Sequence, residues 1–168
     1  MINRIRKLTA LTPFIADSCD ENGVGVVFDE KVERAHTVII KVDRYYQSLK
    51  LEKTPAAPDC LIVRLCKDGG FGLTIVEMKK ISSSKRFNVQ NLQSKFKTCL
   101  DDFLSVRFSE TFEGDFKDVK LYFVSEIEVH KRDLGLKMET LINAYVPFGG
   151  KNYLIRPFMP NPAIKNCY

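Results

Sequence analysis

The chain has no run approaching the roughly 18 consecutive apolar residues that a membrane span requires, so no membrane helix is expected. It has no Cys-x-x-Cys pair. Its five cysteines (Cys19, Cys60, Cys66, Cys99 and Cys167) are odd in number and scattered. That pattern argues against structural zinc and against a disulfide framework, and it suits a reducing compartment. Only two histidines are present, His36 and His130. Neither lies beside a second His or a Cys at ligand spacing, so surface positions are expected. Nothing resembles a GxGxxG loop, a P-loop or an HExxH helix. No internal repeat and no low-complexity tract occur.

What is there is an ordinary globular composition. With 168 residues, 45% hydrophobic and 28% charged, the chain can bury a core, and wholesale disorder is excluded. One α/β (α+β) domain is expected. The net charge of +5 hints weakly at a polyanionic partner. Its distribution says more. Between Glu77 and Lys97 lie six cations (Lys79, Lys80, Lys85, Arg86, Lys95, Lys97) and one acid; between Asp101 and Asp118 lie six acids and two cations. The N-terminus loosely mimics a signal peptide, with Arg4, Arg6 and Lys7 ahead of an apolar stretch. Thr9, Thr12 and Pro13 interrupt that stretch. A basic arm is the preferred reading, with a secreted protein as the alternative.

Residues 17–25 read as a polar loop. From Asp29 a helical pattern begins: Val32, Ala35, Ile39, Val42, Tyr46 and Leu49 form one apolar stripe, with Asp29 as N-cap. The β-branched run Thr37-Val38-Ile39-Ile40 supports a competing strand over 37–43. Tyr45 and Tyr46, next to Arg44, could stack on unpaired bases, although helical spacing favours core. Residues 60–66 and 72–79 read as strands around Lys67-Asp68-Gly69-Gly70, a strong hairpin signal. A helix is expected from Asn88 to about Val106, a strand over 119–129, a short helix near 136–145 and a strand near 153–158.

The chemistry concentrates on the hairpin. Asp59 opens its first strand after Pro58, and Glu77-Met78-Lys79 closes its second. Residues two apart on a strand share a face, so Glu77 and Lys79 project together. Directly opposed residues also share a face. A loop at Lys67-Asp68-Gly69 places Asp59 opposite Glu77. A loop at Asp68-Gly69-Gly70 places it opposite Lys79, and a two-residue Asp68-Gly69 turn sends it to the other face. Two carboxylates form a hard-cation site suited to Mg²⁺ or Mn²⁺. A nearby Lys suits charge developing at a phosphodiester.

Pro58-Asp59 followed by a strand, a turn and Glu77-Met78-Lys79 resembles the motif of the PD-(D/E)xK nuclease superfamily. The hairpin is most similar to that of Holliday-junction resolvases. The resemblance implies a restriction-endonuclease-like core, with helix, three strands, helix and strand in that order. It implies Asp59 and Glu77 as metal ligands, the Met78 carbonyl completing the shell, and Lys79 as catalytic base or stabiliser. It also implies a carboxylate from the preceding helix. Glu33 is the candidate there and Glu30 the reserve, and His36 would lie nearby. Gln90, Gln93 or Lys97 on the following helix would approach the phosphate. Lys80, Lys85 and Arg86 read as a DNA-backbone contact surface beside that helix.

The expected function is a cytoplasmic, metal-dependent endonuclease acting on DNA. A non-catalytic nucleic-acid-binding or interaction module of the same fold is the alternative. A homodimer is expected, because cutting two strands needs two sites. Tyr145, Phe148, Tyr153 and Phe158 are the candidate interface residues.

Overall fold

The computed structural model describes residues 1–80, 88–126 and 141–167. The chain opens with helix α1 (Ile2–Lys7) and four two-residue strands: β1 (Ile15–Ala16), β2 (Asp20–Glu21), β3 (Val24–Gly25) and β4 (Val27–Phe28). Next come β5 (Thr37–Lys41), helix α2 (Val42–Ser48), β6 (Cys60–Leu65), β7 (Phe71–Lys79), helix α3 (Val89–Lys97) and β8 (Phe116–Ser125). β9 (Tyr145–Phe148), β10 (Lys151–Phe158) and β11 (Ala163–Ile164) follow. Seven strands make one mixed sheet in the order β1-β5-β6-β7-β8-β10-β9. The fold is therefore mixed α and β, as expected at that level. β5, β6 and β7 form an antiparallel meander. β8 runs parallel to β7, which requires a crossover connection, and α3 lies within it.

The β6–β7 register follows from the turn. Leu65 faces Phe71 and Cys60 faces Val76. The Cys66 N–H donates to the Gly70 carbonyl at 2.8 Å, and Gly69 takes φ +87°. The loop is thus Lys67-Asp68-Gly69, with glycine in the left-handed position that such three-residue loops need. Alternation along the strands then divides the sheet's contacts. Leu61, Val63, Leu73 and Ile75 join the larger core, which also takes Ile5, Tyr46, Phe96 and Phe103 from helical segments. Cys60, Ile62, Val76 and Met78 face the other side, against Cys19, Val24, Val26 and Ile164.

The segment before the hairpin departs from the expected helix. Residues 37–41 form β5, and only Val42–Ser48 is helical. The β-branched run is buried on both faces of a strand with neighbours on either side. Pairing there outweighs the helical spacing of the apolar stripe. Asp29 begins a turn rather than a helix, accepting from the Lys31 N–H at 3.0 Å. The polar loop over 17–25 contains the β2–β3 hairpin. Asn22 and Gly23 both take positive φ, at 51° and 81°, as a two-residue hairpin turn of this kind demands.

The expected helix after Asn88 is present, capped by the Asn88 side chain on the Asn91 N–H at 3.1 Å. It continues as a wider π-type helix over Thr98–Arg107. Tyr45 and Tyr46 are buried beside it. The Tyr45 ring meets Phe103 at 5.2 Å between centroids, and the Tyr46 hydroxyl donates to Asp102 at 2.6 Å. Both tyrosines are core residues, not base-stacking platforms. The strand expected over 119–129 begins earlier, at Phe116, and ends at Ser125; positions 127–129 lie outside the described residues. So do His130 and residues 136–140 of the helix expected near 136–145, of which 141 and 142 are helical. Among the four candidate interface residues only Tyr145 is exposed. Phe148, Tyr153 and Phe158 pack against the cores.

The cysteine expectation is overturned. Cys19 pairs with Cys60 and Cys66 with Cys167, leaving Cys99 free and buried. Cysteines too scattered in sequence to read as pairs are brought together by the fold, across separations of 41 and 101 residues. The expectation of a reducing, cytoplasmic setting rested on the lack of pairs and loses that basis. Both bonds fasten thin cover to the face opposite α3: the β2–β3 hairpin region through Cys19, and the C-terminal tail through Cys167. No helix among the described residues is long and apolar enough to cross a membrane.

Loops of these lengths imply stabilisation of about 4 and about 5 kcal/mol in the chain-entropy account of cross-links. Unfolding the untreated protein in guanidinium and titrating thiols should give one per chain, and five after reduction. Reductant should lower the melting midpoint by more than about 10 °C. Five thiols before reduction would refute both pairings.

Candidate metal centre

Pro58 has no N–H to donate, so the β6 ladder begins only after it. The last pair is Cys60 with Val76. One step further, Asp59 stands opposite Glu77, as the first of the three loop alternatives requires. The ladder has ended there, and the Asp59 side chain takes over. Its Oδ2 accepts the Met78 N–H at 2.5 Å. Glu77 lies on the same face as Leu73 and Ile75, the side covered by α3.

α3 closes the site from above that face. Its apolar positions Leu92 and Phe96 are buried in the core. Asn88, Asn91 and Lys95 recur at spacings of three and four, so they share an adjoining stripe. A cavity of about 230 Å³ lies between sheet and helix, lined by Asp59, Glu77, Met78, Lys79, Asn88, Asn91, Leu92, Lys95 and Phe123. The Lys95 ammonium donates to Glu77 Oε1 at 2.5 Å. Glu77 is only 4% exposed, and its second oxygen, Oε2, is buried with no hydrogen-bond partner among the described residues.

The electrostatics follow from this burial. Desolvation pushes the Glu77 carboxyl up to about 8, the Asp59 charge adds to the rise, and Lys95 opposes it. Desolvation likewise pushes Asp59 to about 6, against the pull of the Met78 N–H and Lys95. Two carboxylic groups that resist sharing two negative charges are a pair that a cation would relieve. Asp43, at the start of α2, adds to this field. Its N–H donates to the Pro58 carbonyl at 3.1 Å. Its Oδ1 is buried without a partner among the described residues, and burial raises its pKa. Glu21, on the β2–β3 hairpin, also raises both Asp43 and Asp59.

The residues expected from the sequence divide clearly. Asp59, Glu77, Met78 and Lys79 line one cavity. Glu33 does not join them. It precedes β5 at the turn end of the hairpin, exposed and paired with His36 Nδ1 at 3.0 Å. It lines a separate cavity with Arg64, Leu65 and Cys66. The length of β6 separates the two ends by about 20 Å. The reason is the strand at 37–41: without a long helix, nothing carries Glu33 or His36 toward Asp59. Glu30 is exposed and lies earlier still on that segment.

Gln93 donates to the Tyr145 carbonyl at 3.0 Å and ties α3 to β9. Neither Gln90 nor Gln93 nor Lys97 lines the cavity. Lys80 is exposed at the end of β7, and Lys85 and Arg86 lie outside the described residues. Sequence reasoning missed Lys95, Asn88, Asn91 and Asp43. The polar stripe beside the apolar one on α3 was the available signal for the first three.

Two carboxylates, one with a buried oxygen that lacks a partner among the described residues, are the oxygen donors a hard divalent cation takes, and Met78 lines the same cavity. Among the described residues no three His, Cys, Asp or Glu side chains converge closely enough to hold a metal ion. No family model matches the chain, and neither a curated protein nor a solved structure does.

An unfolded glutamate titrates near 4.3. The folded Glu77 holds its proton to about 8, so between those values the folded state binds more protons than the unfolded. Stability of the metal-free protein should therefore be greatest below about pH 4 as far as this group is concerned, and fall as pH rises to about 8. Glu77→Gln should flatten that slope and raise the melting midpoint near pH 9 by about 5 °C. Melting curves of both proteins with EDTA across this range measure it; an unchanged slope would refute the assignment.

Proposed function

We propose that this protein is a divalent-metal-dependent endonuclease that hydrolyses DNA phosphodiester bonds. One observation carries the reading: Asp59 and Glu77 oppose each other across a hairpin end and line a cavity with Lys79, and one buried Glu77 oxygen lacks a partner among the described residues. The element order adds partial support. β5, β6 and β7, then α3 and the parallel β8, come in the order that the PD-(D/E)xK resemblance implies. However, α2 stands between β5 and β6, and the helix expected ahead of them from Asp29 is absent from the described residues.

Asp59, Glu77 and the Met78 carbonyl would hold Mg²⁺ or Mn²⁺. Such an ion would polarise the scissile phosphate and acidify a water molecule. Lys79, two residues from Glu77 on the same strand face, would stabilise negative charge growing on the phosphate oxygens or orient the water. Asn88 and Asn91 line the cavity at the start of α3, where amide groups and the helix N-terminus favour phosphate oxygens. Lys80, exposed beside the site, would contact the DNA backbone and contribute affinity without sequence preference. Glu33 has no part in this arrangement.

A homodimer remains part of the proposal, because one chain offers one such cavity while duplex cleavage needs two cuts. The edge strand β9 with exposed Tyr145, opposite exposed Leu154 on β10, is the surface to examine. The second reading is a DNA-binding module that does not cut. It is favoured by the lack of a third convergent ligand among the described residues.

The test is cleavage of labelled duplex, flap, four-way and single-stranded DNA with Mg²⁺, Mn²⁺ or EDTA. Metal-dependent cutting is expected, reduced about 100-fold or more in Glu77→Ala and in Lys79→Ala. Binding without cutting would favour the second reading. Neither binding nor cutting would refute both.

A further inference from the structure

Lys95 donates to Glu77 at 2.5 Å, yet Glu77 is the carboxylate that the proposed function assigns to a divalent cation. The ammonium is not a surface ornament: its side chain is 24% exposed and that of Glu77 is 6% exposed. Salt screens such a pair poorly. It sits on the face of α3 that lines the cavity, in line with Asn88 and Asn91. Its partner carboxylate keeps one oxygen with no donor among the described residues. Buried charges are rarely left half-compensated without a reason.

The ammonium holds Oε1, so a divalent cation taken by the open Oε2 would have to share one small carboxylate with it. They also repel each other in a site where desolvation strengthens every charge. We propose, resting on the metal-centre reading above, that Lys95 is a built-in counter-ion of Glu77 that competes with the divalent cation for this carboxylate. The four-carbon stem of lysine lets the ammonium withdraw while α3 stays anchored by Leu92 and Phe96 in the core. Lys95 thereby sets the concentration at which the centre fills. In low cation the pair leaves Glu77 with the ammonium on Oε1.

Lys79 lines the same cavity, and it separates this competition from a general effect of positive charge. The test is Mn²⁺ titration without DNA, by calorimetry and by the electron paramagnetic resonance of free Mn²⁺, at low salt near pH 8.5, where Glu77 is ionised in the metal-free protein. Lys95→Met removes the charge; Lys95→Gln keeps a hydrogen-bond donor to Glu77 and guards against a variant that fails to fold. Both should bind Mn²⁺ at least tenfold more tightly than wild type, whereas Lys79→Gln should gain less than half as much. Glu77→Gln should lose the site. A variant merely damaged in structure would bind more weakly, so tightening is specific to competition.

If wild type binds Mn²⁺ and both Lys95 variants bind equally or more weakly, the competition is refuted and the metal-centre reading stands. If no variant binds and Glu77→Gln changes nothing, the metal-centre reading fails and the competition fails with it.

Discussion

Three residues between Cys66 and Gly70 decide which way Asp59 points. The left-handed Gly69 closes the turn with the Cys66 N–H on the Gly70 carbonyl. Every pair along β6 and β7 follows from that closure down to Cys60 and Val76. A shift by one residue would send Asp59 to the opposite face, and Ile62 and Val63 would exchange cores. Because β6 and β7 lie in the middle of the sheet, β5 and β8 inherit the same register. The carboxylate pair and the packing are thus consequences of one turn.

The sheet is unevenly covered. One face packs against helical segments whose Phe96, Leu100, Phe103 and Tyr46 bury apolar surface in quantity. The other face is covered by two-residue strands and a C-terminal tail, which bring few large side chains. Cover of that kind contributes little hydrophobic stabilisation. The two disulfides fasten it where burial alone is thin. Arg64 contributes from the same face: buried, it donates to the Lys165 carbonyl of the tail and to Asp118 of β8.

The centre between β7 and α3 is a place where the chain accepts local cost. Glu77 is buried with an oxygen that has no partner among the described residues, Asp59 is held above the ordinary carboxylate range by burial, and half-buried Asp43 adds its charge. Buried side-chain atoms without a partner among the described residues also occur at Arg64 Nε and Ser125 Oγ, but the two carboxylate oxygens among them, on Asp43 and Glu77, belong to this group of acids. Lys95 keeps that cost tolerable in the absence of a divalent cation.

Short-range chemistry made the hairpin, its turn, the helix beginning at Asn88 and the trio Asp59, Glu77 and Lys79 legible from the residues alone. Alternation, glycine at a turn and a capping asparagine act within a few positions. The strand at 37–41 was not legible to the same degree, because its helical spacing yields only when neighbours β1 and β6 are there to pair with it. With that strand went the place of Glu33, which a long helix would have carried to the site. The disulfides, the salt link from Lys95 to Glu77 and the approach of Asp43 to Asp59 lie further from reach. They join residues 16 to 101 positions apart that lie on different elements, and which of them meet is decided by how helices and tail pack onto the sheet. Local periodicity determines which face a side chain takes on its own element; only the closing of the tertiary structure determines what that face meets.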